Sequence, residues 1–289
     1  MRADKMDTPA ISFYHKTANG TNLHYTQTGN ELGPLIILLH GLGGSTKTFE
    51  SLLPFLSPHL NRLVCVDFEG FGQTALSTPE TVLSIPRYVN DLEYLVASLQ
   101  DHSQDTAGTK LILIGHSLGA IVSMHYASRH PSHIRGLALL GPGRSIAHIS
   151  AARERILGLA AKTRMEGIQA TADMAAISNF PPQGSVALEA RECVREAVKS
   201  CDAEAYARAC EAVADLNHLD PDYSSINAPT LLLAGSGDII SPVERSLGLK
   251  ELIGDGAWVR VLDGVGHQML LQDLTGSVEA IQELLEKSN

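Results

Sequence analysis

The chain has 289 residues, 44% of them hydrophobic and 19% charged. That balance belongs to an ordinary folded protein and excludes both a disulfide miniprotein and a chain that stays disordered. Lys and Arg number 22 against 32 for Asp and Glu, a formal net charge of -10, which repels phosphate backbones and anionic headgroups, so neither nucleic acid nor membrane is an expected partner.

The N-terminal stretch Met1 to Asp7 carries acidic residues and no apolar run, so no export signal or membrane anchor is expected and the cytoplasm is the default location. Asn19-Gly20 lies between two runs of strand character, Ile11 to His15 and Thr21 to Thr26, and predicts a tight hairpin turn with positive φ. Continuous aliphatic runs follow at Leu35 to Leu39, Leu63 to Val66, Leu111 to Ile114, Leu137 to Leu140, Thr230 to Leu233 and Trp258 to Leu262. Runs without polar alternation are what strands buried on both faces look like. Tyr88, Leu92, Leu95, Val96 and Leu99, and later Val278, Ile281, Leu284 and Leu285, repeat three and four apart, the spacing of amphipathic helices.

Strand alternating with helix predicts an α/β fold: a mostly parallel sheet with an antiparallel N-terminal hairpin and helices on both faces, its ligands at the carboxyl ends of the strands. Between about Arg144 and Pro221 the sequence is Ala-rich and helical in pattern with no strand. We therefore expect a core of residues 1–143 and 222–289 interrupted by a helical cap over 144–221. The four cysteines, Cys65, Cys193, Cys201 and Cys210, lack the paired spacing of a zinc site and read as reduced core thiols.

The strongest chemical signal is Gly115-His116-Ser117-Leu118-Gly119, directly after the run Leu111 to Ile114 and before the helical stretch Ala120 to Arg129. A serine on such a strand-to-helix turn is held in a strained conformation with its hydroxyl exposed, and small residues two positions either side let strand and helix approach. A hydroxyl is a poor nucleophile, so it needs a base, and the base needs a group to orient it. Of 12 histidines, His267 in Gly264-Val265-Gly266-His267-Gln268 lies just beyond the last strand, whereas His40, His116, His125, His130 and His218 have less reason to face the hydroxyl. Asp238, after Leu233-Ala234-Gly235-Ser236-Gly237, stands at a strand's carboxyl end and is the expected orienting acid. Asp263 and Asp273 flank His267 and read as solvated loop carboxylates.

Charge developing on a carbonyl oxygen needs backbone donors. The amide of Leu118 supplies one at a helix start, and Leu42 in the glycine-rich loop His40-Gly41-Leu42-Gly43-Gly44-Ser45 supplies the other. Gly41 in that loop, with Phe49 and Ile240 just beyond catalytic loops, read as substrate-binding residues. Gly70-Phe71-Gly72-Gln73-Thr74-Ala75 formally fits a dinucleotide fingerprint, but Pro79 and Pro86 interrupt the helix that would bind the pyrophosphate. Neither cofactor nor metal is implied.

Taken together, His40-Gly41-Leu42-Gly43, the turn at Ser117, Gly235-Ser236-Gly237-Asp238 and Gly266-His267 resemble the α/β-hydrolase superfamily in its capped branch, over nearly the whole chain. Where that branch often carries Asp, a variable residue, Arg and Gly, this chain reads Asp67-Phe68-Glu69-Gly70, and Glu69 in the arginine's place puts the family's ion pairs there in doubt. Gly167 to Asp173 and Tyr206 to Ala212 look like the cap of 3-oxoadipate enol-lactonase-like proteins. The resemblance implies a serine hydrolase without cofactor that cleaves a small ester or lactone through an acyl-enzyme, a carboxylate-bearing substrate being one option. Arg144, Arg153, Arg155 and Arg164 either bind such a carboxylate or simply line an exposed helix face. Carbon–carbon bond hydrolysis of diketone-like substrates, or a small-molecule receptor with little turnover, stay open as alternatives.

Overall fold

In the computed structural model, which describes residues 9–101, 110–181 and 186–288, each aliphatic run becomes a strand. The strands are β1 Ile11–Lys16, β2 Asn22–Gly29, β3 Leu35–Leu39, β4 Arg62–Val66, β5 Leu111–His116, β6 Ile134–Leu140, β7 Thr230–Gly235 and β8 Ala257–Leu262. They form one sheet in the order β1-β2-β4-β3-β5-β6-β7-β8. β2 runs antiparallel to both β1 and β4, and the other pairings are parallel. The stretch Met1 to Asp7, read above for an export signal, lies outside the described residues. Among the described residues no helix is long and apolar enough to cross a membrane.

Side chains alternate across a strand, so a run buried throughout must meet an apolar layer on each face. Ile37, Leu39, Val64, Leu113, Leu137 and Leu232 point to one face, against Val89, Leu92, Val96 and Ile121. Those residues lie on α1 (Ile85–Asp101) and α2 (Leu118–Arg129). Ile36, Leu38, Ile112, Ile114, Leu231 and Leu233 point to the other, against Leu52 and the helical residues Val278, Ile281 and Leu284.

Between β6 and β7 the chain leaves the sheet for α3 Ser150–Glu166, α4 Ile168–Ser178, α5 Leu188–Lys199 and α6 Ala203–Val213. α3 packs on α6 and α4 on α5. The two ends of this segment are tied together, because Arg144 pairs with Asp220 and the Ser145 amide donates to Asp220 Oδ1 at 2.9 Å. After β7 come α7 Val243–Ile253, then β8, the short α8 Met269–Gln272 and α9 Leu274–Lys287.

Two expectations need correction. The hairpin is wider than a two-residue turn, since only Gly20 takes positive φ (84°) and Thr17 N bonds Thr21 O at 2.9 Å. The Asn19 side chain is held instead by Asp91 Oδ1 at 2.9 Å. Cys65, Cys201 and Cys210 are buried thiols, but Cys193 on α5 is exposed, because its position faces away from the apolar side of that helix.

Glu69 has its own ion pair. Its carboxylate, fully out of solvent, receives the Arg87 guanidinium from α1, the Thr21 hydroxyl at 2.9 Å and the Ser77 amide at 2.7 Å. Burial alone pushes its carboxyl up, but Arg87, Ser77 and Thr21 together outweigh that and hold it below the usual range. A depressed folded value means stability present above the unfolded carboxyl value of about 4.3 and lost as pH falls through the folded one. Arg87→Met, which strands the buried carboxylate, should therefore cost about 3 kcal/mol near neutral pH. Urea unfolding should show the deficit shrinking as the solution is acidified toward pH 4.

Candidate active site

The turn after β5 is where the backbone is forced. Ser117 has φ 52° and ψ -109°, a left-handed region costly for a residue with a β-carbon. The approach that forces it is measurable at the flanking glycines. A β-carbon on Gly119 would stand 2.0 Å from the Leu39 carbonyl oxygen, and one on Gly115 would stand 2.5 Å from Gly119 O. Leu118 opens α2, so its amide is among those that the first turn leaves without an intrahelical acceptor.

Asp238 follows β7 and His267 follows β8. Asp238 Oδ2 meets His267 Nδ1 at 2.8 Å, while Oδ1 accepts from the amides of Ile240 and Ser241, each at 2.9 Å. Burial pushes this carboxyl up, but His267 and the two amides prevail and hold it below its ordinary value. An ionised carboxylate only accepts, so Nδ1 carries the proton and Nε2 presents a lone pair. The close pairing also depends on Gly141 at the end of β6. A β-carbon there would lie 3.0 Å from His267 Nδ1 and 3.3 Å from Asp238 Oδ2.

The loop after β3 is pinned from below. The Phe68 amide donates to His40 Nε2 at 3.1 Å, which fixes the tautomer, so His40 Nδ1 donates to Gly41 O at 2.7 Å. Asp67 Oδ1 accepts the Thr46 amide at 2.6 Å and Oδ2 the Gln73 amide at 2.8 Å. Gly41 packs so tightly that a β-carbon would come within 2.9 Å of His116 Nδ1 and 3.0 Å of Ser117 Cβ. Leu42 is thereby held over the turn.

Two cavities meet at this point. One of about 370 Å³ is lined by Leu42, Ser117, Met174, Ile240 and His267, and another of about 530 Å³ by Gly41, Leu42, Val198, Tyr206 and Leu270. Ser117 and His267 thus face one space. Phe49 does not. It is 1% exposed and packs with Leu38, Leu52 and Leu56 beneath the loop, because the short helical turn Thr46–Phe49 directs its apolar residue into the core. Of the four arginines, Arg144 is held by Asp220, Arg153 by Ala214 O at 2.9 Å, and Arg164 by Glu204 and Glu211. Arg155 lines the smaller cavity.

From the sequence His116 has less reason to face the hydroxyl and Asn179 is not singled out, yet both border the cavities. His116 lines both cavities, with its ring 4.8 Å from that of His267. Burial, reinforced by His267, pushes it down to about 3, so it is neutral, and Nε2 is engaged by the His267 carbonyl at 2.9 Å. Asn179, at the end of α4, also lines both cavities. Its carbonyl accepts the His267 amide at 2.8 Å and its Oδ1 accepts from Gln268 Nε2 at 2.8 Å. A loop residue eighty-eight positions from His267 gives no signal of this in a single sequence; only the small residue at Gly266 hints at a close neighbour.

A mostly parallel eight-stranded sheet with an antiparallel N-terminal hairpin, and a serine on the strained turn after its central strand, defines an α/β-hydrolase. Residues 31–274 match the serine aminopeptidase, S33 family, and the chain belongs to it and is a hydrolase. It is 26% identical to the proline iminopeptidase PfmaB of Pestalotiopsis fici, across 93% of this chain and 98% of that one. It is 25% identical to the 2-hydroxy-6-oxo-2,4-heptadienoate hydrolase of Pseudomonas putida, across 92% of each chain. Among solved structures it resembles the enol-lactonase from Burkholderia xenovorans LB400, with TM-score 0.77 and 24% identity over 95% of this chain and 100% of that one.

The contact between α4's end and the His267 loop should be breakable without touching a polar side chain. A methyl at residue 266 would stand 2.8 Å from Asn179 O and 2.9 Å from Phe180 Cα. Gly266→Ala should therefore lower the melting temperature and strip hydrogen-exchange protection from the His267 amide. Unchanged protection at that amide would show that the contact is not maintained in solution.

Proposed function

We propose that this protein is a cofactor-independent serine hydrolase of small esters or lactones, with Ser117 as nucleophile, His267 as general base and Asp238 as the acid that orients it. The observation that carries the reading is the shared cavity: a strained serine and an imidazole whose Nδ1 is held by a buried carboxylate border one space of about 370 Å³. In this reading Ser117 Oγ attacks the carbonyl carbon as His267 Nε2 takes its proton. The imidazolium returns that proton to the departing oxygen, leaving an acyl-enzyme. Water, deprotonated by His267, then displaces the acyl group and restores the serine. The Leu42 and Leu118 amides hold the oxyanion, each contributing on the order of 10²–10³ in rate.

Residues 144–221 act as a cap in the same reading, covering the cavity and selecting what enters it. Arg155, on α3 and bordering the cavity, supports an acyl substrate that bears a carboxylate, since guanidinium meets that group bidentately. The likeness to a carbon–carbon bond hydrolase over 92% of the chain favours including diketone-like substrates in any panel.

A fluorophosphonate probe should label Ser117 stoichiometrically. Ser117→Ala should lose labelling and about 10⁴-fold or more in ester turnover while keeping its fold. Arg155→Ala should raise KM about tenfold for a carboxylate-bearing ester and leave a neutral aryl ester unaffected. Full turnover by Ser117→Ala would overturn the proposal, and equal effects on both esters would remove the carboxylate from it.

A further inference from the structure

At the opposite end of the sheet, the amino ends of β5, β6 and β7 and the close of α9 enclose a second kind of space. This cavity, of about 270 Å³, is lined by Lys110, Arg135, Asn227, Lys287 and Ser288 among others, and no carboxylate is among its described lining residues. Three cations converge there in a protein whose formal net charge is -10. β5 separates it from Ser117 by six residues, roughly 20 Å of extended chain. The site is therefore distinct from the catalytic cavity.

Arg135 is the anomaly. It is half-buried, its Nε is shut off from solvent, and that Nε finds no acceptor among the described residues. Burial pulls its guanidinium below the ordinary value, and no acid among the described residues offsets it. A guanidinium offers five donors and no acceptor, and leaving a buried donor unmade costs the full desolvation of the group. The Arg144, Arg164 and Arg195 guanidiniums each meet carboxylates. Lys287 bonds Glu283 at 3.0 Å and also lies over the Trp258 ring, 4.1 Å from its centroid. Trp258 is the single tryptophan of the chain.

We propose that this cavity is a binding site for a phosphate group, carried by inorganic phosphate or by a small phosphorylated molecule, with Arg135 as its anchor and Lys110 and Lys287 closing round it. Three cations from separate elements suit a dianion with several acceptor oxygens better than a single carboxylate. Asn227 and Ser288 complete the wall, their side chains held by the Ser225 carbonyl at 3.0 Å and the Leu284 carbonyl at 2.8 Å. The bound anion would join the start of β6, the approach to β7 and the end of α9, stabilising the folded chain by mass action.

The protein carries its own reporter, because an anion drawing Lys287 from the indole changes Trp258 emission. Inorganic phosphate, titrated against sodium chloride at matched ionic strength, should change that emission saturably and raise the melting temperature by about 2 °C or more. Arg135→Met should lose both responses, yet melt no lower than wild type in phosphate-free buffer, since the guanidinium makes no carboxylate pair to forfeit. Lys110→Gln should weaken binding about fivefold, and Ser117→Ala should bind phosphate as wild type does. Glycerol phosphate binding more tightly than inorganic phosphate would identify an organic phosphate as the ligand, and the reverse would identify the free ion. No response beyond that to chloride, or equal responses in wild type and Arg135→Met, would overturn the proposal.

Discussion

The structure depends on one close approach, that of α2 to β3 and β5 at the turn carrying Ser117. With a β-carbon on Gly119 falling 2.0 Å from a backbone oxygen, only glycine lets the helix start where it does. The geometry in turn drives Ser117 into the left-handed region, at a cost of order 1–3 kcal/mol. Such a cost persists only where the surroundings over-determine it. Here they do: β5 is buried at every residue and pairs on both sides with parallel strands. The Ser117 amide is bound by Leu140 O at 2.9 Å. Rigidity of the sheet is converted into the exposure of one hydroxyl.

Asp238 and His267 obey a second constraint of the same kind. Each sits on a loop at a strand's carboxyl end, and the loops must approach without collision. Gly141 supplies the clearance beneath the Asp238–His267 pair, and Gly237 and Gly266 supply it against Pro181. The stretch after α4 is thus wedged onto both loops, with the Asn179 carbonyl taking the His267 amide. The helical segment is part of what fixes the imidazole. Displacing α4 as a rigid body would break that bond, whereas the ties of α3 at Arg153 and Arg164 run to α6 and its C-terminal end.

Much of this was legible in the chain itself. The runs Leu35 to Leu39 and Leu111 to Ile114 are strands because nothing polar interrupts them, and they read as buried on both faces before any coordinates. That Ser117, Asp238 and His267 come to one edge was readable because strand order alone assigns their loops to the carboxyl ends of a parallel sheet. Side-chain direction was not legible. Phe49 turned into the core and Cys193 out of it, since a short helical turn and an amphipathic helix each aim neighbouring residues oppositely. Glu69 found a partner in Arg87, eighteen residues on, because α1 crosses the sheet beside the loop. Nor could the chain show that the His116 ring, adjacent to the serine in sequence, swings to the cavity wall.

Net charge was equally silent about local charge. At -10 overall, the chain repels polyanions as a body, but salt screens that summed field beyond about 8–10 Å. Inside that length the individual groups decide. Arg155 and Arg144 both press on Arg245, which burial already holds below its ordinary value and which Asp238 only partly relieves. The Arg245 guanidinium is spent on the Ile240 carbonyl at 3.3 Å, behind the cavity wall. Arg155 borders the cavity while the Asp238 carboxylate is engaged by the His267 imidazole. Under the proposed carboxylate reading, an anionic group entering there meets a guanidinium that no count of acids and bases would reveal, and the same reasoning underlies the proposal for Arg135 at the other end of the sheet. In each place it is an arginine with no acid partner among the described residues, rather than the total charge, that supports the proposed anion site.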